Sequence, residues 1–276
     1  MKITLVVCLI FVSSELVKCA DILAVIPTPF FSHQATFRPL WRELAKKGHK
    51  ITLITTDPME SNENITQIDY SESYDYLDKK NLGNLFKDGY NLYKLVKKFS
   101  AVIDRFMVYQ FTHPGLVELV KKREKFDLML VEIIMPGWPM LSAKFKCPLI
   151  GLSTMDGNPV MHESVGNAVH PVIYPYADLG IGDDPSFAER LQSVAFSMIS
   201  ELLFKRVMGY VGTKYVREYI DKDLPDVQEV MAKTDMIFIN SNPIFFPPRP
   251  ITPVTINLGG GLHLAKPKKL PEVRKL

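Results

Sequence analysis

The chain has 276 residues, 47% of them hydrophobic and 23% charged, a composition that supports a folded domain with a sizeable core. Its formal net charge is +3 and its basic residues are scattered rather than gathered into one stripe, which argues against nucleic acid as a partner.

The first element is a leader. Met1-Lys2 precedes the apolar run Ile3 to Val12, and Val17-Lys-Cys19 offers a cleavage site, so residues 1–19 are expected to be a secretory signal peptide. The run is too short to span a bilayer, which takes about 20 apolar residues. No later segment reaches that length, so a mature chain without a transmembrane anchor is expected, in the endoplasmic reticulum lumen or secreted. Cleavage after Cys19 would leave Cys147 as the single thiol, a small residue at a strand entrance.

Asp21-Ile-Leu-Ala-Val-Ile26 then reads as a buried strand, followed by a loop, a helix over Gln34 to Lys47 and a second strand over Lys50 to Thr55. Phe37, Leu40, Trp41 and Leu44 fall at i, i+3, i+4 and i+7, one face of a helix, and Gly48 stands where that helix needs its stop. His33 falls in the loop after the first strand. A βαβ unit binds ligands beyond the carboxyl ends of its strands. A histidine titrates near neutrality, so one placed there can take a proton from a hydroxyl. Asn64-Ile-Thr66 is the chain's one glycosylation sequon.

Helices are expected over Gly83 to Phe99, Ala101 to Phe111 and Gly115 to Arg123. The aromatic and methionine residues between Phe86 and Phe111 read mainly as buried helix faces, and secondly as lining for an apolar ligand. Strands follow at Asp127 to Val131, Leu149 to Leu152 and Met236 to Ile239, with a long ordered loop over Thr154 to Pro185 and a helix over Phe187 to Tyr219. Alternating strands and helices predict an α/β fold, a Rossmann-like parallel sheet with helices on both faces, over residues 20–241. Residues 242–276 carry Pro243, Pro247, Pro248, Pro250 and Pro253, then Gly259-Gly-Gly261 and a basic run, the composition of a linker. No Lys-Ser or Lys-Thr pair follows the glycine triplet, so it is not a phosphate loop.

The block Phe31-Ser-His-Gln34, Phe37-Arg-Pro-Leu-Trp41, Leu44-Ala45, Gly48-His49 and Thr55-Thr-Asp-Pro58 resembles the opening of an insect UDP-glycosyltransferase, in the UDP-glucuronosyltransferase superfamily. The similarity continues through Phe126 to Glu132, Gly166-Asn167, His170-Pro171 and Gly260-Gly-Leu-His263, and so covers the chain after its leader. Such enzymes have two Rossmann-like domains facing a cleft, the GT-B arrangement. The amino-terminal domain holds the acceptor and the base, and the carboxyl-terminal domain holds the UDP-sugar. The resemblance implies inverting sugar transfer to hydroxyls of small lipophilic compounds, with His33 as the base. It also implies acceptor-lining roles for Phe31, Ser32, Met155 and His170.

The base needs an acid to fix its tautomer. Asp127 and Glu132 bracket one strand, and only Glu132 stands at the carboxyl end shared with His33. Glu132 is therefore the expected partner, at a position where vertebrate members typically carry aspartate. His162 and His170 lie eight residues apart without cysteine or i,i+4 spacing, so no metal site is expected. The family's donor signature, a His-Gly-Gly or His-Cys-Gly run, does not occur, and the expectation is an N-terminal acceptor-side half with no cofactor of its own. A UDP-sugar would be engaged only with a donor domain present. The other reading is a non-catalytic lumenal half-protein that holds lipophilic ligands or pairs with full-length relatives, or a partial gene product.

Overall fold

A computed structural model of the chain describes residues 19–60, 62–76, 103–176, 179–182, 184–242, 244 and 249–262. The leader and the helix expected over Gly83 to Phe99 lie outside the described residues, apart from Cys19.

Among the described residues, seven strands form one parallel sheet in the order β3-β2-β1-β4-β5-β6-β7. The strands are β1 (Asp21–Ile26), β2 (Lys50–Thr55), β3 (Ile65–Asp69), β4 (Leu128–Glu132), β5 (Leu149–Ser153), β6 (Met236–Ile239) and β7 (Thr255–Asn257). Side chains alternate across a pleated strand, and β1 divides accordingly. Leu23 and Val25 enter one core with Met129, Val131, Phe106, Phe111 and Trp138. Ile22, Ala24 and Ile26 enter another with Phe37, Trp41 and Ala45 of helix α1 (Phe31–Lys46). The sheet is therefore buried on both faces, which is why its central strands read as unbroken apolar runs.

The helices after α1 are α2 (Ser73–Tyr76), an unlabelled helical segment at 103–112, α3 (Pro114–Lys122), α4 (Leu141–Phe145), α5 (Pro159–Ser164), α6 (Phe187–Arg206), α7 (Thr213–Tyr219) and α8 (Val227–Met231). A π-helical turn, Val207–Gly212, joins α6 to α7, so the single helix expected over Phe187 to Tyr219 is three consecutive pieces. Phe106, Met107 and Phe111 are fully buried, so the core reading holds for these members of the aromatic stretch.

The structure departs from the sequence expectation elsewhere too. The first helix begins at Phe31 rather than Gln34, so His33 belongs to its first turn and not to a loop. The cause is Gln34, whose buried side-chain amide donates to the carbonyls of Ile26 (2.9 Å) and Thr28 (3.1 Å) and to Thr56 Oγ1 (2.9 Å). Its oxygen accepts from Thr55 Oγ1 (2.8 Å). That anchorage seats the helix start directly on the ends of β1 and β2. Strand β3 is additional, a mixed sequence whose partly solvated residues give no clear alternation. The long segment after β5 contains α5, started by Asn158, whose side chain accepts from the Met161 N–H (2.8 Å). Finally, the stretch read as linker supplies β7, which pairs with β6 and extends the sheet to Asn257.

Candidate active site

Parallel strands place their carboxyl ends along one rim, and β1, β4 and β5 are neighbours there. β1 leaves the sheet through Pro27-Thr-Pro29. Thr28 and Thr56 are both buried, and Thr56 Oγ1 donates to the Thr28 carbonyl (3.2 Å), closing the network around Gln34. The helix then opens at Phe30, whose carbonyl accepts the His33 N–H (3.0 Å). No side chain caps this end. His33 therefore stands in the first turn of a helix whose base is fixed by buried hydrogen bonds, a better-defined position than a free loop would give.

Glu132 is the last residue of β4 and is 2% exposed. The structure brings it together with His33: ring Nδ1 contacts Glu132 Oε1, while Thr28 Oγ1 donates to Glu132 Oε2. Both oxygens of a buried carboxylate are thus engaged, as burial requires. Asp127 lies at the opposite end of β4, with its Oδ2 accepting the Asp21 N–H (2.9 Å) at the amino end of β1. The two acids are five residue steps apart along the strand, about 16 Å at ~3.3 Å per step, so Asp127 does not reach the histidine.

A carboxylate only accepts, so its contact with Nδ1 favours the tautomer protonated there, which would leave Nε2 as the basic nitrogen. A hydroxyl placed at Nε2 can be deprotonated, and Glu132 would stabilise the imidazolium that forms. Gln110 braces this arrangement from below. Its buried amide donates to the Pro27 carbonyl (2.9 Å) and accepts from Trp138 Nε1 (2.6 Å), tying the exit of β1 to the turn after β4. Tyr70 donates to the Gln110 carbonyl (2.9 Å), and burial raises its pKa well above the usual phenol value.

The other predicted residues are more dispersed. Phe31 (58% exposed) and Met155 (61% exposed) follow β1 and β5, with Phe30 and Ile134 also open to solvent at the same rim. Arg38 lies over the Phe31 ring at 5.1 Å, and the Phe30 ring is 5.4 Å from that of His33. Ser32 is exposed beside them. His170 is exposed too, and its ring accepts the Val172 N–H (3.3 Å) within its own turn. Asn64 precedes β3, with its Nδ2 donating to the Ala45 carbonyl (3.1 Å).

Thr28, Gln34, Gln110, Phe30 and Ile134 were not anticipated. Thr28 alone had a visible signal, a hydroxyl between two prolines at a strand exit.

The remaining described histidines have local roles. His49 accepts the Ala20 N–H (3.1 Å), and His113 caps α3 by accepting the Gly115 N–H (3.2 Å). Burial lowers the His113 pKa despite the pull of Glu72 and Asp69. His162 is fully buried and bonded to Asn167 Nδ2 (2.9 Å). Among the described residues no group of three or more His, Cys, Asp or Glu side chains is placed to hold a metal ion. No described helix is long and apolar enough to cross a membrane.

Comparison with known proteins supplies the family. The sequence model described as UDP-glucoronosyl and UDP-glucosyl transferase matches residues 21–275. The chain is 26% identical to UDP-glycosyltransferase UGT4 of Dactylopius coccus, an alignment covering 91% of the chain and 50% of that protein. It is 26% identical to an ecdysteroid UDP-glucosyltransferase of Lacanobia oleracea granulosis virus, covering 97% and 58%. It is 23% identical to UDP-glucuronosyltransferase 2B13 of Oryctolagus cuniculus, covering 88% and 49%. The chain spans about half the length of these relatives.

Proposed function

Since the chain belongs to the family of UDP-glucuronosyl and UDP-glucosyl transferases, we propose that it is the acceptor-side half of an inverting glycosyltransferase, with His33 as the base. The observation that carries this reading is the contact of His33 with buried Glu132 at the carboxyl rim of the sheet. In the proposed step the acceptor hydroxyl gives its proton to His33 Nε2 while its oxygen attacks the anomeric carbon. The bond from that carbon to the UDP oxygen breaks on the opposite face, inverting the centre. Glu132 holds the ring in the reactive tautomer and offsets its charge. The UDP-sugar would be bound by a donor domain corresponding to the other half of the relatives' length. No resident cofactor is required.

The exposed apolar residues Phe30, Phe31, Ile134 and Met155 at the same rim support a lipophilic acceptor, with Ser32 beside the base as a polar contact. His170 is supported only by its exposure in the segment after β5. The names of several relatives make UDP-glucose and an ecdysteroid the first pair to assay. The leader and the Asn64 sequon support passage through the endoplasmic reticulum. The amide has two hydrogens, so a glycan could replace one and leave the other on the Ala45 carbonyl.

The test is a fusion of this chain to the donor half of a relative. His33→Ala should lower kcat by about 10²–10⁴-fold, with the acceptor KM little changed. Glu132→Gln should lower kcat too, and should add little in the His33→Ala background because the pair acts as a unit. Near-normal turnover by His33→Ala would overturn the assignment.

A further inference from the structure

Arg249 falls in the stretch with linker composition, yet its side chain is only 14% exposed. Its Nη2 donates to Asp156 Oδ2 (2.9 Å), its Nη1 donates to the Ala168 carbonyl (3.4 Å), and its Cζ lies over the Tyr174 ring at 4.9 Å. One guanidinium therefore gathers three points of the segment between β5 and α6. The stitching continues nearby, where the Thr252 N–H and Oγ1 both donate to Asn167 Oδ1 (2.7 and 3.2 Å). Asn167 Nδ2 in turn donates to Thr255 Oγ1 (2.8 Å) at the start of β7. Asp156 is largely buried as well, and its other oxygen faces Nε2 of the fully buried His162 at 3.5 Å.

Burying an ion pair costs the hydration of both ions, and an apolar pair of the same volume often serves stability as well. What the pair supplies is a fixed geometry, and the residue it fixes is Met155. That side chain precedes Asp156 and stands open at the carboxyl rim. Its backbone is held on both sides. The Asn240 N–H donates to the Met155 carbonyl (3.2 Å) and Asn240 Nδ2 to the Thr154 carbonyl (3.2 Å), while Arg249 holds Asp156. We propose that Arg249 is a positioning residue for the acceptor, clamping Asp156 so that Met155 forms a fixed wall against which an apolar acceptor packs. This rests on the reading of Met155 as acceptor lining. Arg249 itself touches no substrate. A wall built on irregular backbone needs such support, because dispersion contacts weaken once a gap of about 0.5–1 Å opens.

Equilibrium dialysis of the full chain against a series of para-alkylphenols, from methyl to octyl, tests this. Each buried methylene can tighten binding by up to about fourfold, so the wild-type dissociation constant should fall as the alkyl chain lengthens. Arg249→Lys keeps a charge beside Asp156 but loses the planar fork that also reaches the Ala168 carbonyl and the Tyr174 ring. Its affinity for the methyl compound should match wild type, while the octyl compound should bind about tenfold more weakly. Tyr174→Leu leaves the ion pair in place and should move the series in the same direction. It carries the test if circular dichroism shows that the lysine variant does not fold. A loss equal at every chain length marks a merely structural pair and overturns the proposal, as does no loss at all; either leaves the acceptor reading standing. A wild-type affinity that does not rise along the series overturns that reading and the proposal with it. None of these readouts depends on His33 or on a donor domain.

Discussion

Replacing Gly212 by alanine sets two effects against each other, and the geometry decides between them. Gly212 closes the π-helical turn with φ −59° and ψ −50°, an ordinary right-handed conformation. On helix propensity alone, alanine there should stabilise by about 0.8–1 kcal/mol. A Cβ at that position, however, would stand 2.6 Å from the Gly137 nitrogen, 3.1 Å from its Cα and 3.2 Å from the Pro136 carbonyl carbon. These are backbone atoms, so no side chain can rotate away. Gly137 is itself held at φ 82° in the turn that follows β4. Over-packing costs about 1–3 kcal/mol, and an immovable neighbour belongs in the upper half of that range. Subtracting the propensity gain leaves a net loss of about 1–2 kcal/mol. In urea melts monitored by tryptophan fluorescence, Gly212→Ala should lower the midpoint at constant slope. The control is Gly182, at an ordinary φ with open space around its missing Cβ, where alanine should be neutral or stabilising by up to about 1 kcal/mol. A Gly212→Ala chain as stable as wild type would refute the claim that the two glycines mark a contact too close for a methyl group.

Cys147 should resist alkylation by iodoacetamide at pH 8 in the folded chain and react readily in 6 M urea. Burial, with smaller contributions from Asp127 and Asp235, pushes its thiol to about 11; equal labelling in both states would contradict this. Asp156→Asn should destabilise the fold at pH 7, and the deficit should shrink as pH falls below about 4. Burial alone would raise the Asp156 pKa, but His162, Arg249 and Ser241 outweigh it and hold the carboxyl below its ordinary value. Its contribution is therefore present above the unfolded pKa and lost as pH falls through the folded one; a deficit independent of pH would refute the assignment. The 276-residue chain expressed alone should give no glycoside from UDP-glucose and a panel of phenols, because positioning of the donor is worth roughly 7–11 kcal/mol of barrier. Robust turnover would show that the donor site does not depend on a further domain.

The central strands were legible because each is buried on both faces and so written as an apolar run: β1, β2 and β6 have the expected limits, and β4 and β5 shift by one residue at most. The edges were not. β3 and β7 have one neighbour each and mixed side chains, and a three-residue strand after five prolines carries no periodicity to read. At the candidate site, Glu132 could be chosen over Asp127 because strand polarity alone separates them. What escaped was the polar bracing. Gln34 and Gln110 look like solvent-facing helix residues in the sequence, and only the fold shows their amides saturated in the interior. The start of α1 was missed for the same reason, since the hydrogen bonds that fix it come from a side chain inside the helix and not from a cap before it.

The two members of the candidate dyad are 99 residues apart in the chain. His33 rides on a local unit, β1-α1-β2, which needs only short-range contacts to form. Glu132 arrives with β4, whose pairing to β1 must first close a loop of about a hundred residues, the slow and entropically expensive kind of step in folding. A partly folded chain can therefore hold α1 against β1 and β2 while its histidine has no carboxylate. The NMR chemical shifts of the His33 ring would then report on completion of the sheet. A destabilised variant that opens at β4 would lose the dyad well before it lost its first helix.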